Sequence, residues 1–203
     1  MGLLVAFTFY GAASRFDIRR NLMVEEANVI GTAYLRLDLL PAEAQPRLRT
    51  DFRKYVRSRI ATYQKLPEIE EARLELARSQ ALQNNLWKEV VESTKASGPT
   101  TQSLVLTSMN QLIDITTTQT VALITHPPPA IYAMLALACF VSSALAGYTI
   151  SFSRTRDWMQ ILTFAFVLGI AIYVILDYEY PRIGLIRIDP VDRLLVQVLE
   201  KMK

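Results

Sequence analysis

Two long runs of apolar residues in the second half of the chain carry no charge. Residues 130–152 read AIYAMLALACFVSSALAGYTISF and residues 158–176 read WMQILTFAFVLGIAIYVIL. As helices rising about 1.5 Å per residue, both reach across a hydrocarbon core of about 30 Å. Only SRTRD, residues 153–157, separates them. The pattern therefore predicts two transmembrane helices in a tight hairpin whose outer ends return to the same side of the membrane. A third apolar run, GLLVAFTFYGAAS, opens the chain. Its length is below the roughly 17 residues a spanning helix needs. Arg15, Arg19 and Arg20 follow it, whereas a secretory signal carries its basic residues in front of the apolar core. Residues 1–14 are thus expected to be the membrane end of a longer helix that runs on into water, or part of a membrane helix whose start lies outside this chain.

Residues 15–129 alternate between apolar and charged positions at helical spacing and are rich in helix formers. Pro41 and Pro46 punctuate the start of this region, Pro67 opens a new helical segment through EIEEARLELARSQALQNNLWKEVVES, and KASGPT at 95–100 breaks it again. Glu68, Glu70 and Glu71 follow Pro67, where the positive end of a helix dipole favours carboxylates. Phe52, Val56, Ile60 and Tyr63 form one core-facing stripe, and Leu104, Met109, Leu112, Ile113 and Leu123 a looser one. HPPPA at 126–130 leads into the first span, because prolines cost little in a helix's first turn. His126 reads as a residue at the membrane interface where that helix begins. No strand alternation, internal repeat or glycine-rich phosphate loop is visible. The expected fold is an all-α membrane protein in one domain, with an N-terminal membrane segment at 1–14, a soluble helical region at 15–129, the hairpin at 130–176 and a tail at 177–203.

The opening helix carries a second pattern. Leu3, Phe7, Tyr10, Ser14, Asp17, Asn21, Glu25, Asn28, Thr32 and Arg36 recur at threes and fours averaging close to 3.6 residues, so all of them can share one face of a single helix. This face is apolar and aromatic at its start and polar after Ser14. A flanking face bearing Ile18, Leu22, Val29, Ile30, Ala33 and Leu37 is apolar and suited to packing. Copies of such a helix around an axis would enclose a hydrophobic constriction followed by a wet vestibule, an arrangement that combines a dewetting gate with ion coordination. The same periodicity also suits an amphipathic helix whose polar stripe meets ordinary solvent.

Charge and composition narrow the chemistry. The formal net charge is only +3, and the basic residues of 47–95 are interleaved with acidic ones, the pattern of a solvated helical face. No cluster of basic and aromatic residues supports nucleic-acid binding. With one cysteine and one histidine in the chain, there is no basis for an intrachain disulfide, a cysteine-rich zinc site or a histidine-based catalytic centre. Cys139, in the middle of a span, reads as a small buried hydrophobe. Glu25 and Glu26 point about 100° apart on a helix and have no nucleophile or metal-ligand set beside them, which argues against an enzyme. Asp177 with Glu179, and Asp189 with Asp192, lack the loop spacing of a calcium site. No metal or other cofactor is expected.

AFTFYGAASRFDIRRNLMVEEANVIGTAYLRLDLLP, residues 6–41, and VILDYEYPRIGLIRID, residues 174–189, closely resemble the bacterial bestrophin-like membrane protein family. The likeness extends over nearly the whole chain, in the order of long helix, soluble helices, two-span hairpin and acidic turn. A more distant similarity links it to true bestrophins, which are pentameric ion channels. The resemblance implies a protein of the bacterial inner (plasma) membrane that meets lipid and further copies of itself as a homo-oligomer, a pentamer if it follows true bestrophins. It would conduct ions if it is a channel. Leu3 and Phe7 would then form the pore neck, with Asp17, Asn21, Glu25 and Asn28 in the vestibule. Asp177, Glu179, Pro181 and Arg182 would form a structural junction where the last span ends. The family carries another membrane helix before this one, so the chain is expected to be shortened at its start. Glu179 and Tyr180 stand where the family would have Asp and Arg, so a salt bridge at that turn is expected to be altered. Asp17 and Glu25 would favour cations, and Arg15 and Arg19 would favour anions if they turned inward.

The alternative function is a non-conducting, membrane-anchored helical scaffold that binds a partner. In either case the larger arginine cluster, Arg15, Arg19, Arg20 and Arg182, and the resemblance predict a cytoplasmic soluble region and tail, with 153–157 on the far side.

Overall fold

A computed structural model describes residues 2–66, 68–151, 158–182, 184–187 and 189–202. The side chains of 150, 151 and 189–192 are not described. Regular structure among these residues is helical, as the periodicity predicts: α1 (Gly2–Arg36), α2 (Gln45–Gln64), α3 (Ile69–Thr94), α4 (Pro99–Ile124), α5 (Pro129–Ser151), α6 (Trp158–Glu179) and α7 (Asp189–Lys201), with a 3-10 turn at Leu37–Leu39. Their starts fall where the local chemistry directs. Pro46 lies in the first turn of α2, Glu70 and Glu71 lie in the first turn of α3, and Pro99 and Pro129 open α4 and α5. Pro67 and the loop 153–157 lie outside the described residues, as does the hairpin turn expected there.

Two stretches are long and apolar enough to cross a membrane, one within Pro99–Thr149, where α5 carries the uncharged run, and one at Trp158–Glu179. Only 6% of each apolar window is buried inside the chain. A soluble core helix equally apolar all round would be covered by its neighbours, so this exposure suits helices that meet lipid. One boundary differs from expectation. Helix α6 continues past Leu176 and takes Asp177 and Glu179 into its last turn. Both carboxylates are buried, and protein groups bond Glu179 and one oxygen of Asp177 there, so the helix need not stop at the last apolar residue.

The chain divides into two compact units. The first comprises Met1–Asp17 and Ile124–Ile186. Its small core is Ala12, Leu135 and Ile175, against which Leu4, Val5, Ile172 and Tyr178 pack. Phe9 and Phe16 each meet the Tyr178 ring edge-on, with centroids 5.5 and 5.4 Å apart, a favoured aromatic geometry. Cys139 is half-buried.

The second unit, Ile18–Leu123 and Arg187–Lys203, has the larger core. Met23, Ile30 and Leu37 of the first helix and its 3-10 extension pack with Phe52, Tyr55, Val56 and Tyr63 of α2, Leu86 and Val90 of α3, Met109 and Leu112 of α4, and Leu195 of α7. The expected stripe Phe52, Val56, Ile60 and Tyr63 is buried. The later one is corrected at one position. Met109 and Leu112 are buried, Ile113 and Leu123 half-buried, but Leu104 is exposed. The buried face of α4 runs through Val105, Ser108, Met109, Leu112 and Ile115, and Leu104 sits about 100° around the helix from Val105.

Polar groups also enter this core. Glu26 and Arg59 are buried and bonded at 2.8 Å, and the Tyr63 hydroxyl donates to the same carboxylate while accepting from the Arg59 guanidinium at 2.5 Å. Nearby on α2, the Tyr55 hydroxyl lies 3.0 Å from Thr116 Oγ1, and Gln83 Nε2 donates to the Leu112 carbonyl at 3.2 Å. Burial opposes the Arg59 charge, yet Tyr63 and Glu26 outweigh it and hold the guanidinium pKa above its ordinary value. Burial pushes the Tyr55 phenol up to about 12, and burial with the Glu26 charge raises that of Tyr63 well above its usual range.

Candidate functional site

In the first unit, Leu3 and Phe7 of α1 are 71% and 67% exposed, and Tyr10 is exposed beside them. The same helix presents Leu4, Val5 and Ala12 to α5 and α6. Packing within the chain therefore leaves the apolar face free and consumes the one next to it. In the second unit, Asn21, Glu25 and Asn28 are exposed, while Met23, Glu26, Ala27, Ile30 and Ala33 are buried. Asp17, at the end of the first unit's share of α1, is also exposed. Of the flanking face expected to pack, Ile30, Ala33 and Leu37 are buried and Leu22 and Val29 half-buried, but Ile18 is 51% exposed.

The two arginines weighed for an anion-favouring lining point elsewhere. Arg19 is buried and donates through Nε to the Ala122 carbonyl at 3.0 Å. Arg15 donates to Glu179 Oε2 through Nε at 2.9 Å and Nη2 at 2.7 Å. Planar guanidinium groups suit such directed bonds, and both side chains are thereby turned to protein acceptors.

Glu179 is the centre of the junction where α6 ends. Its side chain is 0% exposed, and besides Arg15 on Oε2 it holds His126 Nδ1 on Oε1 at 2.9 Å. The His126 ring also stacks on Tyr180, with centroids 5.0 Å apart and 25° between planes. A salt bridge therefore exists at this turn, and Glu179 anchors it. Asp177 braces the backbone that follows. Its Oδ2 accepts the Ile186 amide at 3.0 Å, while buried Oδ1 makes no hydrogen bond. A Cβ built on Gly184 would overlap the Asp177 carboxyl group, so only glycine lets the chain pass so close. Pro181 is buried and Arg182 half-buried. His126 was legible only as a residue at a helix start. Its partner lies 53 positions away, and no local pattern announces such a pairing.

Among the described residues, no group of three or more His, Cys, Asp or Glu side chains could hold a metal ion. Glu25 and Glu26 point apart as their helical spacing requires, one exposed and the other committed to Arg59. The geometry offers an exposed helical face of changing polarity and a braced junction.

Comparison with known proteins gives the family and the fold. A family model described as Bestrophin-like domain matches residues 1–192. The chain is similar to two crystal structures of point variants of a bacterial bestrophin homologue from Klebsiella pneumoniae. One has a TM-score of 0.72 and 17% identity over 99% of this chain and 83% of that one. The other has a TM-score of 0.69 and 15% identity over 98% and 84%. At such identities the likeness shows the fold. No curated protein matches the chain.

Proposed function

Because the chain belongs to the Bestrophin-like family, matched over residues 1–192, we propose that it is a membrane-embedded homo-oligomeric ion channel whose pore is lined by the exposed face of α1. The observation that carries the reading is the exposure of Leu3 and Phe7, followed along the same helix by exposed Asp17, Asn21, Glu25 and Asn28. The exposed apolar side chains continue into polar ones along the same helix, a face that lipid alone would not suit and that copies of itself around an axis would enclose. Leu3 and Phe7, about one turn apart, would stack two apolar rings roughly 6 Å from each other along the axis. Such rings resist hydration and gate by dewetting, while the carboxylates and amides beyond them keep a vestibule wet. With Arg15 and Arg19 engaged by Glu179 and Ala122, exposed Glu25 places a carboxylate on the lining that concentrates cations.

Reconstitution of the purified protein in planar bilayers, after a mass measurement of the detergent-solubilised oligomer, tests this directly. Phe7→Ala should raise conductance or remove gating, because the ring widens and wets. Glu25→Gln should change ion preference, read as the reversal potential in a salt gradient, more than it changes conductance. A monomeric mass removes the pore. A silent wild type together with a silent Phe7→Ala variant, both assembled, leaves a non-conducting scaffold as the function.

A further inference from the structure

Three chain segments meet on the buried Glu179 carboxylate: α1 through Arg15, the connection between α4 and α5 through His126, and the end of α6, which carries Glu179 itself. His126 is the one histidine of the chain, and histidine is the ordinary side chain that changes charge between about pH 5 and 8. Its side chain is 34% exposed, so solvent protons reach it, while Nδ1 stays on the carboxylate. A neutral ring keeps this contact by carrying its hydrogen on Nδ1, because an ionised carboxylate only accepts. Protonation adds a hydrogen at Nε2 and a positive charge to the ring. The bond to Glu179, whose acceptor is already ionised, then becomes an ion pair, so the attraction of opposite charges is added to the hydrogen bond. Tyr180 adds to the same preference. Its ring centroid is 5.0 Å from that of His126, within the roughly 6 Å over which an aromatic face attracts a cation.

The opposing charge is Arg15, which shares the carboxylate. It occupies Oε2, whereas His126 occupies Oε1, and a carboxylate has lone pairs for both. Among the described residues, Glu179 and Tyr180 from α6 meet the imidazole directly and Arg15 from α1 meets the same carboxylate. Pro127, Pro128 and Pro129 follow His126 directly, and their fixed φ angles make the connection stiff. A change in the grip on His126 is therefore passed to the start of α5 and not absorbed by a slack loop.

We propose that His126 is a proton-operated latch: its protonation tightens the Glu179 clasp and draws together α1, the α4–α5 connection and the end of α6. The latch is a property of the fold and does not require the protein to conduct. Because the charged ring makes the stronger contact, the clasp is tighter on the acid side than on the alkaline side.

The test is the melting temperature of the full chain in detergent between pH 5.5 and 8, compared with that of His126→Asn. Asparagine places an amide N–H near the Nδ1 position but does not titrate. The wild type should gain about 2–4 °C on acidification relative to the variant, the response of a chain of this size to one strengthened contact. Glu179→Gln, which retains the shape but removes the charge that attracts an imidazolium, should abolish the difference in the same way. A wild-type profile that lacks this acid-side gain overturns the latch by itself. So does a gain that survives in His126→Asn or in Glu179→Gln.

Discussion

Glu25 and Glu26 are chemically identical neighbours with opposite surroundings. Glu25 is exposed, whereas Glu26 is 0% exposed and bonded to Arg59 and Tyr63. Removing one partner of a buried ion pair leaves the other charged and dry, which costs about 3–5 kcal/mol. Arg59→Met should therefore lower unfolding stability by that amount in a denaturant titration, while Glu25→Gln should stay within about 0.5 kcal/mol of the wild type. Pairing Arg59→Met with Glu26→Leu should recover most of the loss, since two apolar groups of similar volume leave no charge behind. A second consequence concerns alkali. Tyr55 and Tyr63 have folded pKa values raised by burial, Tyr55 to about 12, against about 10 in an unfolded chain. Their neutral forms are favoured by the fold, so this stabilisation is complete below about pH 10 and is lost as pH rises from there through the folded values. The part of the phenolate absorbance that comes from Tyr55 and Tyr63 should rise late and together with the loss of helix, and Tyr55→Phe should move that transition to higher pH.

At the scale of the element, the last turn of α6 and the turn after it depend on one close approach. Asp177 accepts the Ile186 amide, and Gly184 passes against the carboxyl group that does so. Gly184→Ala should force the two apart and lower the yield of folded protein from membranes. Asp177→Ala should do the same by removing the acceptor of a half-buried amide, at a cost of about 1–3 kcal/mol. Gly169→Ala is the control, because a Cβ there meets nothing within 4 Å. Size-exclusion profiles of the detergent extracts compare the three variants. Normal yield and oligomer size for Asp177→Ala, with only ion conduction altered, would make the turn functional instead of structural.

For the whole molecule, α5 and α6 carry the two stretches long and apolar enough to cross a membrane, and the proposed topology follows from them. The region 15–129 and the tail should share the cytoplasmic side, with 153–157 opposite. Single cysteines at Ser153 and at Lys203, each on a Cys139→Ala background, should react with an impermeant reagent from outside only at 153. Reaction at both positions, or at 203 alone, would reverse or break the hairpin. The family assignment gives the fold, whereas the proposed assembly would rest on the exposed face of α1, which is why the mass of the solubilised particle weighs more than any single substitution.

Local rules carried much of this architecture. Uncharged runs marked α5 and α6, prolines and acidic first turns marked the starts of α2 to α5, and a 3.6-residue period separated the exposed face of α1 from its packed one, because each of these depends on residues within a few turns of one another. The resemblance in residues 6–41 and 174–189 supplied the family. Tertiary structure alone decided which charges were buried and with whom. Arg15 meets Glu179 across 164 positions, Arg19 meets the Ala122 carbonyl across 103, and Glu26 meets Arg59 across 33. An arginine or glutamate has the same appearance in the sequence whether it faces water or another helix. Desolvation and the available partner determine its state, and both exist only once distant segments have packed.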